Sequence, residues 1–89
     1  NCAGIDEKEK SYFSLFPNPT TGQFQITSNG VTMDQIIIYD AQGKMVFNEV
    51  YSGIFSQNFD MNSYSNGVYY IEINSDQEIQ ERMPLIINH

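Results

Sequence analysis

The sequence has very little of two residue types that most enzyme and metal sites need. Cys2 is its single cysteine and His89, the last residue, its single histidine. An internal disulfide needs two cysteines, and a structural zinc site needs about four Cys or His ligands. A Ser-His-Asp site would place its base on a chain end, and a glycine-rich phosphate loop before a helix is missing. We therefore expect no enzyme, no metal site and no bound cofactor.

Basic residues are also scarce, and long hydrophobic runs are missing. Four Lys and Arg face 11 Asp and Glu, for a net charge of −7. Nucleic acids and anionic membrane surfaces both require clustered basic side chains, so neither is expected as a partner. No apolar run approaches the ~18 residues of a spanning helix, so membrane insertion is not expected.

Short apolar stretches separated by Gly, Asn, Asp and Ser make up most of the chain. From Tyr12 onward they recur about every 8–12 residues, which is typical of an all-β sandwich or barrel, and no helical period is sustained. Residues 1–11 are polar and read as a linker or frayed terminus, followed by one domain at 12–89. The seven predicted strands span about 12–16, 22–28, 33–40, 44–51, 54–60, 68–74 and 77–87.

Individual residues add expectations about these strands. The run at 36–39 suits a strand covered on both faces or a central strand, and 40–43 reads as a tight turn. Val46 and Val50 are expected on one face of the fourth strand, which should end before a break at 52–53. Pro84 cannot donate to a β-ladder, so the last strand should lie at a sheet edge or be interrupted there.

The sixth strand gives the candidate contact residues. Its alternation places Tyr69, Ile71 and Ile73 on one face, and it places Val68, Tyr70 and Glu72 on the other. Tyr70 beside Glu72 is the best candidate for an exposed contact with a weak glycan or protein ligand. Cross-strand packing is the alternative use of its aromatic ring.

Several acidic residues sit at predicted strand ends. Carboxylates on loops suit calcium, but Asp is also common in turns because its side chain accepts backbone N–H groups. Turn chemistry is the simpler interpretation for the four residues, which are Asp34, Asp40, Asp60 and Asp76.

The stretch 15–24, LFPNPTTGQF, predicts a corner between the first two strands. Pro17 and Pro19 withhold N–H donors, and Gly22 permits a backbone that a Cβ would resist. The tetrad PTTG at 19–22 resembles a sortase signal, but the apolar span and basic tail that follow such signals are missing. We expect Gly22→Val to destabilise the fold, and Thr20→Ala and Thr21→Ala to be close to neutral.

Three segments together carry a family resemblance: 16–26 with PNPTTG, 36–46 with IYDAQGKMV, and 59–73 with SNGVYYIEI. In this order and spacing the chain, from about Tyr12 to its end, resembles the type A C-terminal sorting domain of the type IX secretion system. The positions that match the family motifs are Pro17, Pro19, Gly22, Gly43, Lys44, Val46, Gly67, Tyr69, Ile71 and Ile73.

The resemblance implies a small seven-stranded Ig-like antiparallel β-sandwich that serves as a non-catalytic secretion signal. Its implied partners are the outer-membrane translocon and the sorting peptidase, which cleaves in the linker, here within about residues 1–13. The cargo passes through the periplasm and reaches the cell surface or the medium.

Two differences from the family leave an alternative open. The end at 82–89 carries one arginine, where family members usually carry a more basic strand, and only about 11 residues precede the domain. The chain is then either a fragment of a longer protein or a stand-alone Ig-like binding or adhesion module on the cell surface. Cys2 follows Asn1, whereas a lipidated cysteine would be the first mature residue, so a free thiol is expected.

Overall fold

The computed structural model describes residues 12–75 and 79–89, and these contain strands and no helix. The described residues therefore offer no helix that is long and apolar enough to cross a membrane. The all-β prediction is confirmed. The strands are β1 (Phe13–Phe16), β2 (Gln23–Ser28), β3 (Met33–Tyr39), β4 (Met45–Ile54), β5 (Ser56–Asp60), β6 (Gly67–Asn74) and β7 (Gln80–Ile87).

The strands form two antiparallel sheets that pack face to face as a small Ig-like sandwich. One sheet has three strands in the order β1-β2-β5, and the other has four in the order β4-β3-β6-β7. Antiparallel sheets of this kind bury one face and expose the other, so apolar and polar residues alternate along each strand.

The core lies between the two inner faces. In β2, Phe24 and Ile26 are buried, and in β6 the buried apolar residues are Tyr69, Ile71 and Ile73, as the alternation predicted. The ring of Phe24 stacks on that of Phe59 with centroids 5.1 Å apart, which ties β2 to β5. This burial is the main driving force for folding, since apolar area removed from water contributes roughly 25 cal/mol per Å².

β3 is an internal strand of the four-stranded sheet, paired with β4 and β6. Ile36 and Ile38 face the core, and Ile37, on the opposite face, is also buried. Of the two alternatives, the prediction of a central strand is therefore confirmed.

β4 differs from its prediction in length and in burial. It continues to Ile54 without a break at 52–53, and its pairing with β3 shifts register twice. Val46 packs against the core, but the side chain of Val50 is 71% exposed, so the two valines do not share a buried face. Bulges of this kind bend an edge strand, and a period-2 pattern cannot reveal them.

β7 is an edge strand, as Pro84 predicted. The Pro84 carbonyl accepts a hydrogen bond from the Asn18 side chain, on the side of β7 that faces away from β6. Because the Pro84 carbonyl faces away from β6, the Pro84 nitrogen faces away from β6 as well. The missing N–H therefore removes no hydrogen bond between β6 and β7.

Candidate functional site

The three segments that carry the family resemblance supply the loops at one end of the sandwich. We call this end the motif end and define it by residues 17–22, 40–44 and 61–67, which connect β1 to β2, β3 to β4 and β5 to β6. The end of β7 reaches the same place, because Ile87 pairs with Gly67 and bridges to Thr20. Segments far apart in the sequence therefore meet on one surface.

Asn18 binds the outer edge of β7 with its side chain. Its Nδ2 donates to the Pro84 carbonyl (3.0 Å), and its Oδ1 accepts the Ile86 N–H (3.0 Å). The amide group thus takes the place that a neighbouring strand's backbone would occupy. This covers part of an edge that would otherwise offer unpaired groups to another chain.

Thr20 holds the corner together from within. Its backbone N–H donates to the Ile86 carbonyl and its carbonyl accepts the Asn88 N–H, both at 2.8 Å. Its hydroxyl donates to the Gln23 carbonyl (2.7 Å) and accepts the Gly22 N–H (3.0 Å), and the residue is only 2% exposed. The structure argues against the expectation that Thr20→Ala is neutral, because the change would leave the buried Gly22 N–H and the part-buried Gln23 carbonyl without the hydroxyl partner.

Gly22 is in close contact with the loop between β5 and β6. Its φ is +134°, and a Cβ built there would collide with Asn62 Oδ1 and lie 3.0 Å from the Asn62 Cα. The Gly22 carbonyl also accepts the Met61 N–H at 2.7 Å. The glycine is required both by backbone conformation and by space, which supports the expected cost of Gly22→Val.

The turn at 40–44 is organised by one carboxylate. Oδ1 of Asp40 accepts the N–H groups of Gln42 (3.0 Å) and Lys44 (2.9 Å), and the Asp40 carbonyl accepts the Gly43 N–H (2.9 Å). Gly43 has a φ of +87° and nothing within 4 Å of a Cβ, so its requirement is conformational alone. Lys44 is exposed.

His89 connects two loops of the motif end. Its ring nitrogens lie 2.9 Å from the Thr21 carbonyl oxygen and 2.7 Å from the Tyr64 carbonyl oxygen. Its backbone N–H donates to Oδ1 of Asn66 at 2.9 Å. A neutral imidazole donates to one of the two carbonyls and an imidazolium to both. The last residue is therefore part of this end.

The motif positions divide into two groups by burial. Gly22, Tyr69, Ile71 and Ile73 are buried, and Val46 is half-buried against the core. The exposed positions, which a partner could touch directly, are Pro17, Pro19, Gly43, Lys44 and Gly67.

Tyr70 and Glu72 lie on the outward face of the four-stranded sheet, but their environments differ. Tyr70 is 40% exposed, as predicted, and lines a groove of about 430 Å³ with Tyr39, Arg82 and the turn at 40–43. Glu72 is only 8% exposed, so the prediction that it is an exposed contact is wrong. The side chains that hydrogen-bond to the Glu72 carboxylate also cover it from solvent.

The carboxylate of Glu72 is the centre of a polar network. It accepts hydrogen bonds from Arg82 (2.8 Å), Gln80 (2.8 Å) and Asn74 (3.3 Å). The hydrogen bond from Arg82 lowers the pKa of Glu72, with smaller help from the two amides, against the burial that would raise it. The same bond raises the pKa of the Arg82 guanidinium, which lies 5.4 Å from the centre of the Tyr39 ring.

Two of the aspartates, Asp40 and Asp60, accept backbone N–H groups in turns, whereas Asp34 bonds to a neighbouring hydroxyl. Asp40 holds the turn at 40–44, Asp60 Oδ1 accepts the Asn62 N–H, and Asp34 Oδ2 accepts a bond from Thr32. In residues 12–75 and 79–89 no three His, Cys, Asp or Glu side chains gather as metal ligands. Asp76 and Cys2 lie outside the described residues, as does the linker at 1–11.

Sequence reasoning missed the contacts of Asn18, Thr20 and His89. The backbone of Thr20 and the side chains of Asn18 and His89 bond to residues more than 20 positions away. The hydroxyl of Thr20 bonds locally, to Gly22 and Gln23, but the sequence does not show that this hydroxyl is buried. A buried threonine beside two prolines looks the same in sequence as an exposed one.

The comparisons with known proteins agree with this arrangement. The family model of the secretion system C-terminal sorting domain matches residues 14–88. A curated relative, the ulvan lyase NLR42 of Nonlabens ulvanivorans, is 20% identical over 84 residues, which is 94% of this chain. The chain spans 16% of the length of that relative. Since the family model covers most of the chain, the chain belongs to the C-terminal sorting domains of the type IX secretion system.

Proposed function

We propose that this domain directs an exported cargo through the type IX secretion system to the cell surface. The observation that carries the proposal is the family match over residues 14–88, whose three sequence motifs meet at one end of the fold. A domain that is read by secretion machinery needs a defined surface and no catalytic centre. The relative supports a modular arrangement, since the matched region is a small part of a longer protein.

The motif end is the surface that we propose the outer-membrane translocon recognises. Loops from both sheets and the end of β7 form it, so it exists only in the folded domain. The sorting peptidase would then cleave the linker within about residues 1–13, after periplasmic transit. The exposed motif positions Pro19 and Lys44 are the first candidates for direct contact.

A reporter fusion tests this function. The whole chain is placed behind a periplasmic reporter in a bacterium with the type IX system, and surface reporter is measured by protease accessibility. We expect surface display that disappears in a strain lacking the translocon. Thr21→Ala serves as the control that keeps the fold. Reporter held in the periplasm by a folded domain would contradict the proposal.

The alternative of a surface binding module has one observation in its favour. On the outer face of β6 and β7, Tyr70 pairs with Pro84 and Val68 pairs with Ile86, so exposed apolar groups lie side by side. We propose this strip as the contact surface of such a module. A glycan and protein screen of the wild type and Tyr70→Ala tests it; the absence of any binder lost with Tyr70 would count against it.

A further inference from the structure

The outward face of the three-stranded sheet carries a second groove, which shares Pro17 with the motif end. It lies beside the motif end and has a volume of about 460 Å³. Ligand pockets typically have volumes of about 300–1,000 Å³. The lining side chains that matter here are Phe16, Pro17, Gln23, Gln25, Asn58 and Asp60.

The strand register places these side chains in a regular array. Phe16, Gln25 and Asn58 are directly opposite one another across β1, β2 and β5. Gln23 and Asp60 form the next row, two residues along the same strands. With strands about 4.8 Å apart, the array presents one aromatic ring and four planar polar groups over roughly the size of two sugar rings.

The amides in this groove are unused by the protein. Among the described residues, the side-chain amides of Gln23, Gln25 and Asn58 have no hydrogen-bond partner. On the opposite outer face the amides are consumed, since Gln35 bonds to Asn48 and Asn74. The same residue types are therefore internally paired on one face and open to an outside partner on the other.

The charge of the groove selects the class of partner. Its lining includes no Lys, Arg or His, and its one charged group is the carboxylate of Asp60. An anionic ligand would meet this carboxylate without a compensating cation. Phe16 is 51% exposed and offers an apolar face, while paired amide donors and acceptors suit neighbouring hydroxyl groups. We propose that the groove binds a neutral oligosaccharide, with a sugar ring on Phe16 and its hydroxyls on the amides.

An NMR titration of the whole chain tests this site. The probes are cellohexaose, laminarihexaose and mannohexaose, with hexagalacturonate as the anionic comparison. We expect the side-chain NH₂ signals of Gln23, Gln25 and Asn58 to shift with one neutral probe at millimolar concentration. No shift with any neutral probe, or an equal response to hexagalacturonate, would overturn the proposal.

Matched variants locate the binding. Removing the amide in Gln25→Ala or Asn58→Ala should weaken binding by about two- to tenfold, and Phe16→Ala by about tenfold. Gln42→Ala removes an exposed amide outside the groove, and Tyr70→Ala removes the aromatic candidate on the other face; both should bind as the wild type does. Unchanged binding in the groove variants, with melting curves confirming their fold, would show that the groove is not the site.

Discussion

The corner at 17–22 and the turn at 40–44 lie at the same end of the sandwich but are held in different ways. The corner is bonded to β7, to the loop after β5 and to His89, across as many as 68 positions of sequence. Among residues 12–75 and 79–89, the turn is bonded only to itself, across at most four positions. A motif in the sequence can thus mark either a long-range junction or a self-contained bend. The two should respond differently to substitution.

Gly22→Val should have the largest effect, because it places a branched side chain against Asn62 at a positive φ. Backbone strain and overpacking together should cost about 3 kcal/mol or more of unfolding free energy. Urea denaturation measures this value. Gly22→Ala should cost less, and a stable Gly22→Val domain would show that the corner is no tighter than the turn.

Thr20→Val keeps the shape of the side chain but removes its hydroxyl. The Gly22 N–H and the Gln23 carbonyl lose their partner, which should cost about 2 kcal/mol. A thermal melt would then shift by about 8–16 °C for a domain of this size. Thr20→Ser, which retains the hydroxyl, should recover most of the loss. Equal melting temperatures for the two variants would mean that the hydroxyl does not hold the corner.

Gly43→Ala tests the turn. A Cβ there meets nothing within 4 Å, so only the positive φ should matter, at about 1 kcal/mol. Gly43→Asn should cost less, since Asn tolerates this conformation better. Urea denaturation of both variants gives the comparison with Gly22. A loss as large as that of Gly22→Val would remove the distinction between the two loops.

Glu72→Gln removes the charged contact between Glu72 and Arg82, which are 10 positions apart in the sequence, and its effect should depend on pH. Because folding lowers the pKa of Glu72, its contribution is complete above the ordinary pKa of about 4.3 and is lost as pH falls through the folded value. The variant should therefore lose less stability than the wild type on acidification, with a difference of about 1 kcal/mol at neutral pH. Urea denaturation at pH 7 and pH 3 measures it, and parallel losses would contradict it. Thr20→Val changes no charge, so this variant should keep the pH dependence of the wild type.

Thr21→Ala should have almost no effect. The side chain is exposed, and the carbonyl that His89 contacts belongs to the backbone, which the change leaves in place. We expect a change within about 0.5 kcal/mol in the same urea assay. A larger loss would show that the corner depends on more than Thr20 and Gly22.

The sequence predicted the features that depend on neighbouring residues alone, namely which face of a strand a side chain lies on and where a tight turn forms. Alternation placed Ile71 and Tyr70 on the correct faces of β6, and Asp40 with Gly43 predicted a turn that depends on nothing else. It could not place contacts that depend on two distant segments. Glu72 looked exposed because the pattern shows which face it is on, but not that Arg82 covers it from the next strand.

The same limit applies to the candidate site. The motif residues were found, but their meeting at one end follows from the sheet order, which no single segment encodes. The groove of unpaired amides was missed because Gln25 and Asn58 are ordinary outward residues until the register sets them beside Phe16.

The bonds between Asn18 and β7 also set an order for folding. Asn18 is made early, but Pro84 and Ile86 lie 66 and 68 positions later. Its partners do not exist until the last strand has been synthesised. Closing so long a loop carries an entropic cost before any contact is gained. The hydrogen bonds that join the corner, near the start of the domain, to β7 can therefore form only after the last strand has been made.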